Sequence, residues 1–424
     1  MNNLIFRRYL TLFVTGLLLF GMAQRSWAQG FSTYFEDRTL RLDYIFSGNR
    51  SQQMIAFDQA STSPKWYGKR QHLAELPMEG NGQITVRTKD GTAIYRNSFS
   101  TLFQEWLTYD ASINSTQAFE NVFLVPFPKD TVSVTVDIRN NRREVTATLT
   151  HTIVPSDILI RHIGEKGISP YDTLQAPADT SRCINIAFIA EGYTQEEMPL
   201  FLSDANTATE AIFAHEPFKQ YRERFNIVAV KTPSLETGTS EPGNGIWKQT
   251  ALMSQFDTFY SQRYLTTLHL KRLHDLLAGI PYEHIIVLVN TQHYGGGGIL
   301  NSYNLAMTRH PLFKPVVVHE FGHSFAGLAD EYAYDSEPIP MYPLDVEPWE
   351  PNITTLANFH GKWENMIDNN KQNGNGVSLY EGAGYSLKGI YRGAEDCRMR
   401  TNSNPEFCPV CRQAISKLIE FYTE

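Results

Sequence analysis

The chain has 424 residues, 42% hydrophobic and 12% aromatic, an ordinary globular composition with enough apolar material for two packed domains. A formal charge of −8 with no basic runs argues against nucleic acid as a partner. Four cysteines are too few for a disulfide scaffold.

Residues 1–28 read as a signal peptide. Arg7 and Arg8 precede an apolar run from Leu10 to Met22, and Ser26-Trp27-Ala28 offers small residues where a signal peptidase reads. The run is too short to span a bilayer, and no cysteine follows it to carry a lipid. Export and cleavage near Ala28 are expected, giving a secreted or periplasmic protein with no transmembrane anchor in the mature chain. Its formal charge would be −11, because the segment holds three arginines and no acid.

Residues 29–163 are expected to form an all-β, sandwich-like domain. "GQITVRT" and "VSVTVDI" alternate small or polar with β-branched residues, and "REVTATLTHTIV" follows the second across Asn140-Asn141. Lys89-Asp90-Gly91 and Arg139–Arg142 suit hairpin turns. No titratable cluster with metal spacing occurs here, so this domain supports or positions something else. Residues 164–182, rich in Gly, Pro, Ser, Thr and Asp, read as a linker.

From residue 183 to 424 the rhythm becomes α/β. "CINIAFIA", "FNIVAV" and "HIIVLVN" are apolar strands of a sheet covered on both faces. Helices are expected over about Gln195–His215 and within "YLTTLHLKRLHDLLAG". "HYGGGGILN" permits close backbone approach and so could border a cleft. It lacks the lysine and helix start of a phosphate-binding loop.

"VVVHEFGHSFAGLADEY" carries the chemistry. His319 and His323 are four apart, so both rings leave one face of a helix and reach a single ion. Glu320 lies about 100° around the helix from His319, where it meets a water acidified by the metal without ligating the metal itself. Gly327 can end the helix in a left-handed conformation, and the turned chain then delivers Asp330 and Glu331. Two imidazoles and a carboxylate form a reasonable set for Zn²⁺ with one position open.

"HEFGHSFAGLADEY" together with "YEGAGYSLKGIYR", "DCRMR" and "FCPVCR" resembles the IgA-protease-type family of secreted bacterial, metzincin-like zinc metallopeptidases. The resemblance implies a metzincin-like α/β peptidase domain behind an N-terminal β-domain. It also implies a methionine turn at Met399. Glycine and the third ligand stand four and seven residues after His323 here, against the usual three and six. The six-residue position is Ala329, which cannot ligate. One extra residue before the turn would make Asp330 the third ligand, with Glu331 as runner-up. A distant glutamate (Glu364, Glu381 or Glu395) is the thermolysin-like alternative. Tyr385 and Tyr391 lie between the helix and Met399, and each could donate to an oxyanion. Substrate is expected to lie extended, pairing with an edge strand near Tyr294–Gly298.

Cys397, Cys408 and Cys411 are expected to form a disulfide from Cys397 to Cys408 or Cys411, tying the methionine turn to a last helix at about Pro409–Tyr422. Their CxM and CxxC spacing is also similar to a structural zinc site of some metzincins, which needs a fourth ligand. Cys183, in an apolar strand, is expected to be a buried thiol. The residues thus point to a zinc-dependent endopeptidase acting on extracellular protein or peptide, including immunoglobulin A or other host glycoproteins. The alternatives are an exported binding protein that kept the fold and a zinc hydrolase of a non-protein substrate. Intact Glu320 speaks against the first.

Overall fold

The computed structural model describes residues 30–334, 341–367 and 376–424, so the expected signal peptide lies outside the described residues. In chain order the first strands are β1 (Phe35–Gly48), β2 (Gln53–Pro64), β3 (Gly82–Arg87), β4 (Ala93–Phe99), β5 (Gln117–Pro128), β6 (Val132–Arg139), β7 (Val145–Ile153) and β8 (Arg161–His162). They make two four-stranded sheets, in the orders β5-β1-β2-β8 and β4-β3-β6-β7. The alternation in β6 is literal: Val132, Val134, Val136 and Ile138 are buried, and the residues between them are partly exposed. Rings of Phe46, Phe99, Phe103 and Phe123 meet between the sheets. Both expected hairpin turns form, with Gly91 donating to Thr88 and Asn140 to Glu144.

β1 breaks the alternation, because both of its faces are covered. Leu40, Leu42 and Tyr44 enter the sandwich core, while Arg41 and Asp43 face a helix from later in the chain. The Arg41 guanidinium pairs with Asp43 at 2.7 Å and with Asp275 at 2.6 Å.

The remaining strands are β9 (Tyr171–Gln175), β10 (Ile184–Glu191), β11 (Phe225–Val230), β12 (His284–Val289), β13 (Gly296–Ile299) and β14 (Tyr303–Met307), then β15 (Ile353–Thr354), β16 (Tyr380–Ala383) and β17 (Ser386–Arg392). The first six form one sheet in the order β13-β14-β12-β10-β11-β9, parallel except at its two edges. Strand β9 corrects the linker expectation. None of its residues is fully buried, yet Tyr171, Asp172, Thr173 and Gln175 pair with β11. Helices α1 (Leu102–Trp106), α2 (Met198–Phe213), α3 (Leu270–Leu276), α4 (Phe313–Ala326) and α5 (Pro409–Thr423) accompany these sheets. α3 is shorter than its leucine spacing suggested. Thr266, a β-branched residue, exchanges backbone hydrogen bonds with Gln255, so the chain is bridge-paired there and not helical.

The architecture is mixed α/β with several sheets and an N-terminal β region. One hydrophobic core runs from the sandwich onto Ile189, Val230, Val287 and Val289 of the six-stranded sheet. A second core lies on the sheet's other face, between Phe188, Ile227 and the apolar sides of α2, α4 and α5. The polar connection at 164–182 is therefore a change of rhythm and not a break in packing. Among the described residues no helix is long and apolar enough to cross a membrane.

The buried ion pair of β1 sets the first prediction. Arg41→Met leaves the fully buried Asp43 carboxylate without its guanidinium, a loss expected to lower stability by about 3–5 kcal/mol in urea unfolding. A loss below about 1 kcal/mol, the range of exposed pairs, would mean that water reaches the pair.

Candidate functional site

α4 is placed by two close approaches that only glycine permits. A Cβ on Gly298 would stand 2.5 Å from the Glu320 carbonyl oxygen and 2.9 Å from the His323 Cβ. On Gly296 it would stand 2.7 Å from Glu320 Oε1. The glycine run therefore lets β13 lie directly under the helix, as its composition suggested. On another side Gly322, between the two histidines, admits the Met399 sulfur, which an added Cβ would meet at 2.7 Å. Val316, Val317, Val318 and Phe321 bury the remaining surface.

The backbone then fixes both imidazole rings. His319 Nδ1 donates to the Arg398 carbonyl at 3.0 Å, and His323 Nδ1 donates to the Leu328 carbonyl at 2.5 Å. With the ring hydrogens committed there, each neutral Nε2 carries a lone pair. These two nitrogens are 3.0 Å apart, and Asp330 Oδ1 lies 3.0 Å from one and 3.3 Å from the other. Asp330 Oδ1 is buried without a hydrogen bond. Three acceptors thus converge on one point, an arrangement that added protons or a cation relieve, and the donor set suits a divalent metal. Protons compete for the same point: although burial opposes it, the Asp330 charge pushes His323 up to about 9 and helps to raise His319. Asp330 is held far below the usual carboxylate range despite its burial, His323 being the main cause.

Asp330 arrives by a helix stop followed by a clamp. Gly327 is left-handed at φ +58°, and Leu328 N–H returns to the Gly322 carbonyl six residues back. Asn352 then holds Ala329 at both its N–H and its carbonyl, 2.8 Å and 2.9 Å. Gly384 N–H donates to the Asp330 carbonyl, and Tyr385 Oη donates to Asp330 Oδ2 at 2.5 Å. The residue one step on faces the other way. Glu331 Oε1 lies 3.1 Å from Cys411 Sγ and 2.9 Å from Asn352 Nδ2. Glu364 bonds His360, Glu381 accepts from Gly389, and Glu395 is exposed, so none of the distant glutamates joins the histidines.

Several sequence expectations change here. Tyr385, expected at an oxyanion, has its hydroxyl engaged on Asp330. It also holds φ +67°, a left-handed conformation costly for a tyrosine, between Tyr332 and Tyr334. Tyr391 sits in β17 and does not line the cleft. β13 is not free to pair with substrate at Gly296, because Leu265 N–H already donates to the Gly296 carbonyl and Arg263–Leu265 cover the glycines. The expected disulfide is absent: all four cysteines are free thiols, and Cys397 Sγ stands 3.8 Å from Cys411 Sγ. Cys183 is partly exposed just before β10, its thiol pushed up to about 11 by burial.

A cleft of about 900 Å³ opens on the site, lined by His319, Glu320, Tyr332, Tyr385, Arg263 and Tyr264. Burial pushes the Glu320 carboxyl up, against the pull of His319 and His323. The cleft's far wall includes Glu105 of α1, in the N-terminal region. Its carboxylate accepts a hydrogen bond from Tyr264 Oη, and burial pushes it up to about 7. Sequence reading missed both residues. Thr101 capping Gln104 marks a helix there, but nothing local says that it faces the histidines.

Family models match the chain over most of its length: IgA Peptidase M64 over residues 173–373 and 366–419, and Peptidase M64 N-terminus over residues 30–150. No curated protein matches it.

Tyr385→Phe removes the hydroxyl that steadies Asp330. A fall of roughly 10–100-fold in metal affinity is expected, read by titration against a competing chelator. Unchanged affinity with a lower kcat would instead return Tyr385 to the oxyanion role expected from sequence.

Proposed function

The chain belongs to the IgA peptidase M64 family, and on that premise we propose that it is an exported zinc endopeptidase that hydrolyses peptide bonds of extracellular proteins. The observation carrying the reading is the convergence of His319 Nε2, His323 Nε2 and Asp330 Oδ1 beside Glu320 at the floor of a wide cleft. These three residues would hold the ion, while Met399 packs its sulfur against Gly322 between the histidines and Tyr385 orients Asp330. Zinc bound there supplies a Lewis acid for the scissile carbonyl and lowers the pKa of water. The metzincin-like methionine turn accords with this reading.

Glu320 is the residue proposed to move the proton. It stands next to the histidines on α4 yet outside their set, and burial raises its affinity for a proton. As general base it takes a proton from the attacking water, and as general acid it returns that proton to the leaving amine. Its position against Gly296 leaves no room for a bulkier neighbour and holds the carboxylate in place. The expected signal peptide at residues 1–28 supports export. A cleft walled by tyrosines and by Arg263 suits a length of polypeptide better than a small metabolite. Immunoglobulin A, named in the family's description, and other host glycoproteins are the substrates to try first.

Glu320→Gln should keep the metal and lose about 10²–10⁴-fold in kcat/KM, because it removes a base and not a ligand. Asp330→Ala should lose the catalytic metal. Both are read by elemental analysis and by mass spectrometry of peptide-library and immunoglobulin digests. Full cleavage by Glu320→Gln would remove the base assignment. Wild-type protein that cleaves no peptide bond after zinc reconstitution would leave the binding-protein alternative standing.

A further inference from the structure

Behind the histidines lies a second group of metal-binding side chains that the proposed hydrolysis does not use. Glu331, Cys397, Cys408 and Cys411 each place one ligand atom within 4.8 Å of the other three, and all four residues are buried. They come from three separate places: the loop after α4, the turn that holds Met399, and the first turn of α5. Glu331 Oε2 has no hydrogen-bond partner, and no cation among the described residues forms an ion pair with this carboxylate.

The spacing is that of a tetrahedral thiolate site. Zinc–sulfur bonds of about 2.3 Å and zinc–oxygen bonds of about 2.0 Å put two sulfurs about 3.8 Å apart, and a sulfur and an oxygen about 3.5 Å apart. Cys397 Sγ and Cys411 Sγ are 3.8 Å apart, and Glu331 Oε1 lies 3.1 Å from Cys411 Sγ and 3.9 Å from Cys408 Sγ. A disulfide would join two of these thiols only, leaving the third and a buried carboxylate without a partner. Cys408 caps α5 and Cys411 lies in its first turn, where the helix N-terminus favours thiolates.

We propose that Glu331, Cys397, Cys408 and Cys411 bind a second, structural zinc ion. Three soft thiolates with one carboxylate select zinc over magnesium or calcium, and four protein ligands leave no position for substrate. Such an ion fastens the loop bearing Asp330, the turn bearing Met399 and the start of α5 to one point. The Arg398 carbonyl that orients His319 and the Met399 carbonyl that accepts from Glu331 N–H both lie between these ligands. The site therefore pre-organises its neighbour, and its existence does not depend on what the neighbour hydrolyses.

Elemental analysis of the full chain, purified without chelator, should find about two zinc ions. His319→Ala/His323→Ala should retain one of them. X-ray absorption at the zinc edge of that variant should show sulfur scatterers at about 2.3 Å as the majority of the first shell. Cys411→Ser in the same background should lose this zinc; should that variant fail to fold, mercurial titration of the native wild-type thiols should release one zinc of the two. Glu331→Cys, which completes a four-thiolate set, should retain both ions. A single zinc in the wild type, a first shell of nitrogen and oxygen alone in the double-histidine variant, or a mapped disulfide among the three cysteines would each overturn the proposal. Loss of hydrolysis with two zinc ions still bound would instead count against the peptidase reading alone.

Discussion

Two hydrogen bonds from imidazole to backbone carbonyls decide what this site can be. By taking the Nδ1 hydrogens of His319 and His323, the carbonyls of Arg398 and Leu328 turn both Nε2 lone pairs toward Asp330. One of these carbonyls comes from 79 residues along the chain. The helix alone would offer two histidines on one face; the turn at residues 397–401 makes them point to the same place. That turn is itself closed by hydrogen bonds from Arg400 and Thr401 to the Cys397 carbonyl. Two residues on, the Met399 carbonyl receives the Glu331 N–H. A single short segment thus orients one imidazole, packs its sulfur under Gly322 and aligns the loop that carries Asp330.

The small residues follow from this crowding. β13 and the Met399 turn press on α4 from different sides, so no side chain fits at Gly296, Gly298 or Gly322. Gly327 differs in kind, since its left-handed φ and its contacts with Met78 and Trp349 both demand glycine. The strain at Tyr385 belongs with these. A tyrosine held at positive φ persists only where its surroundings over-determine it. Here that hold comes from backbone pairing with Tyr332 and Tyr334 and from the bond to Asp330.

Much of this was legible in the chain, and the limits have physical causes. The four-residue histidine spacing, the glutamate between them and the helix-ending glycine are local, so helical geometry alone predicts their arrangement. The choice between Asp330 and Glu331 was not local, because neighbouring residues of an extended chain face opposite ways and both are acids. Asn352 and Gly384 decide it, and both come from later in the sequence. The cysteines invited a disulfide because their spacing was visible and Glu331 was not visibly their neighbour. β9 was passed over because an edge strand of five residues needs little apolar character. Glu105 and Tyr264 meet 159 residues apart, a contact that no periodicity encodes.

The N-terminal region is therefore more than a support. The sandwich shares one core with the face of the six-stranded sheet carrying Ile189, Val230, Val287 and Val289 and with Leu252, Leu273 and Leu277 of the segment between β11 and β12. Its buried Arg41–Asp43 pair meets Asp275, and Lys69 N–H meets the Glu283 carboxylate, so the covering face is polar at chosen points as well as apolar. The same docking brings α1 across the cleft, where Glu105 sits within electrostatic reach of His323, Asp330 and Glu320. A carboxyl pushed up to about 7 in that position makes the cleft's far wall sensitive to charge near neutral pH. The cleft is lined by residues of both regions, Glu105 and Tyr109 from one and His319 and Glu320 from the other.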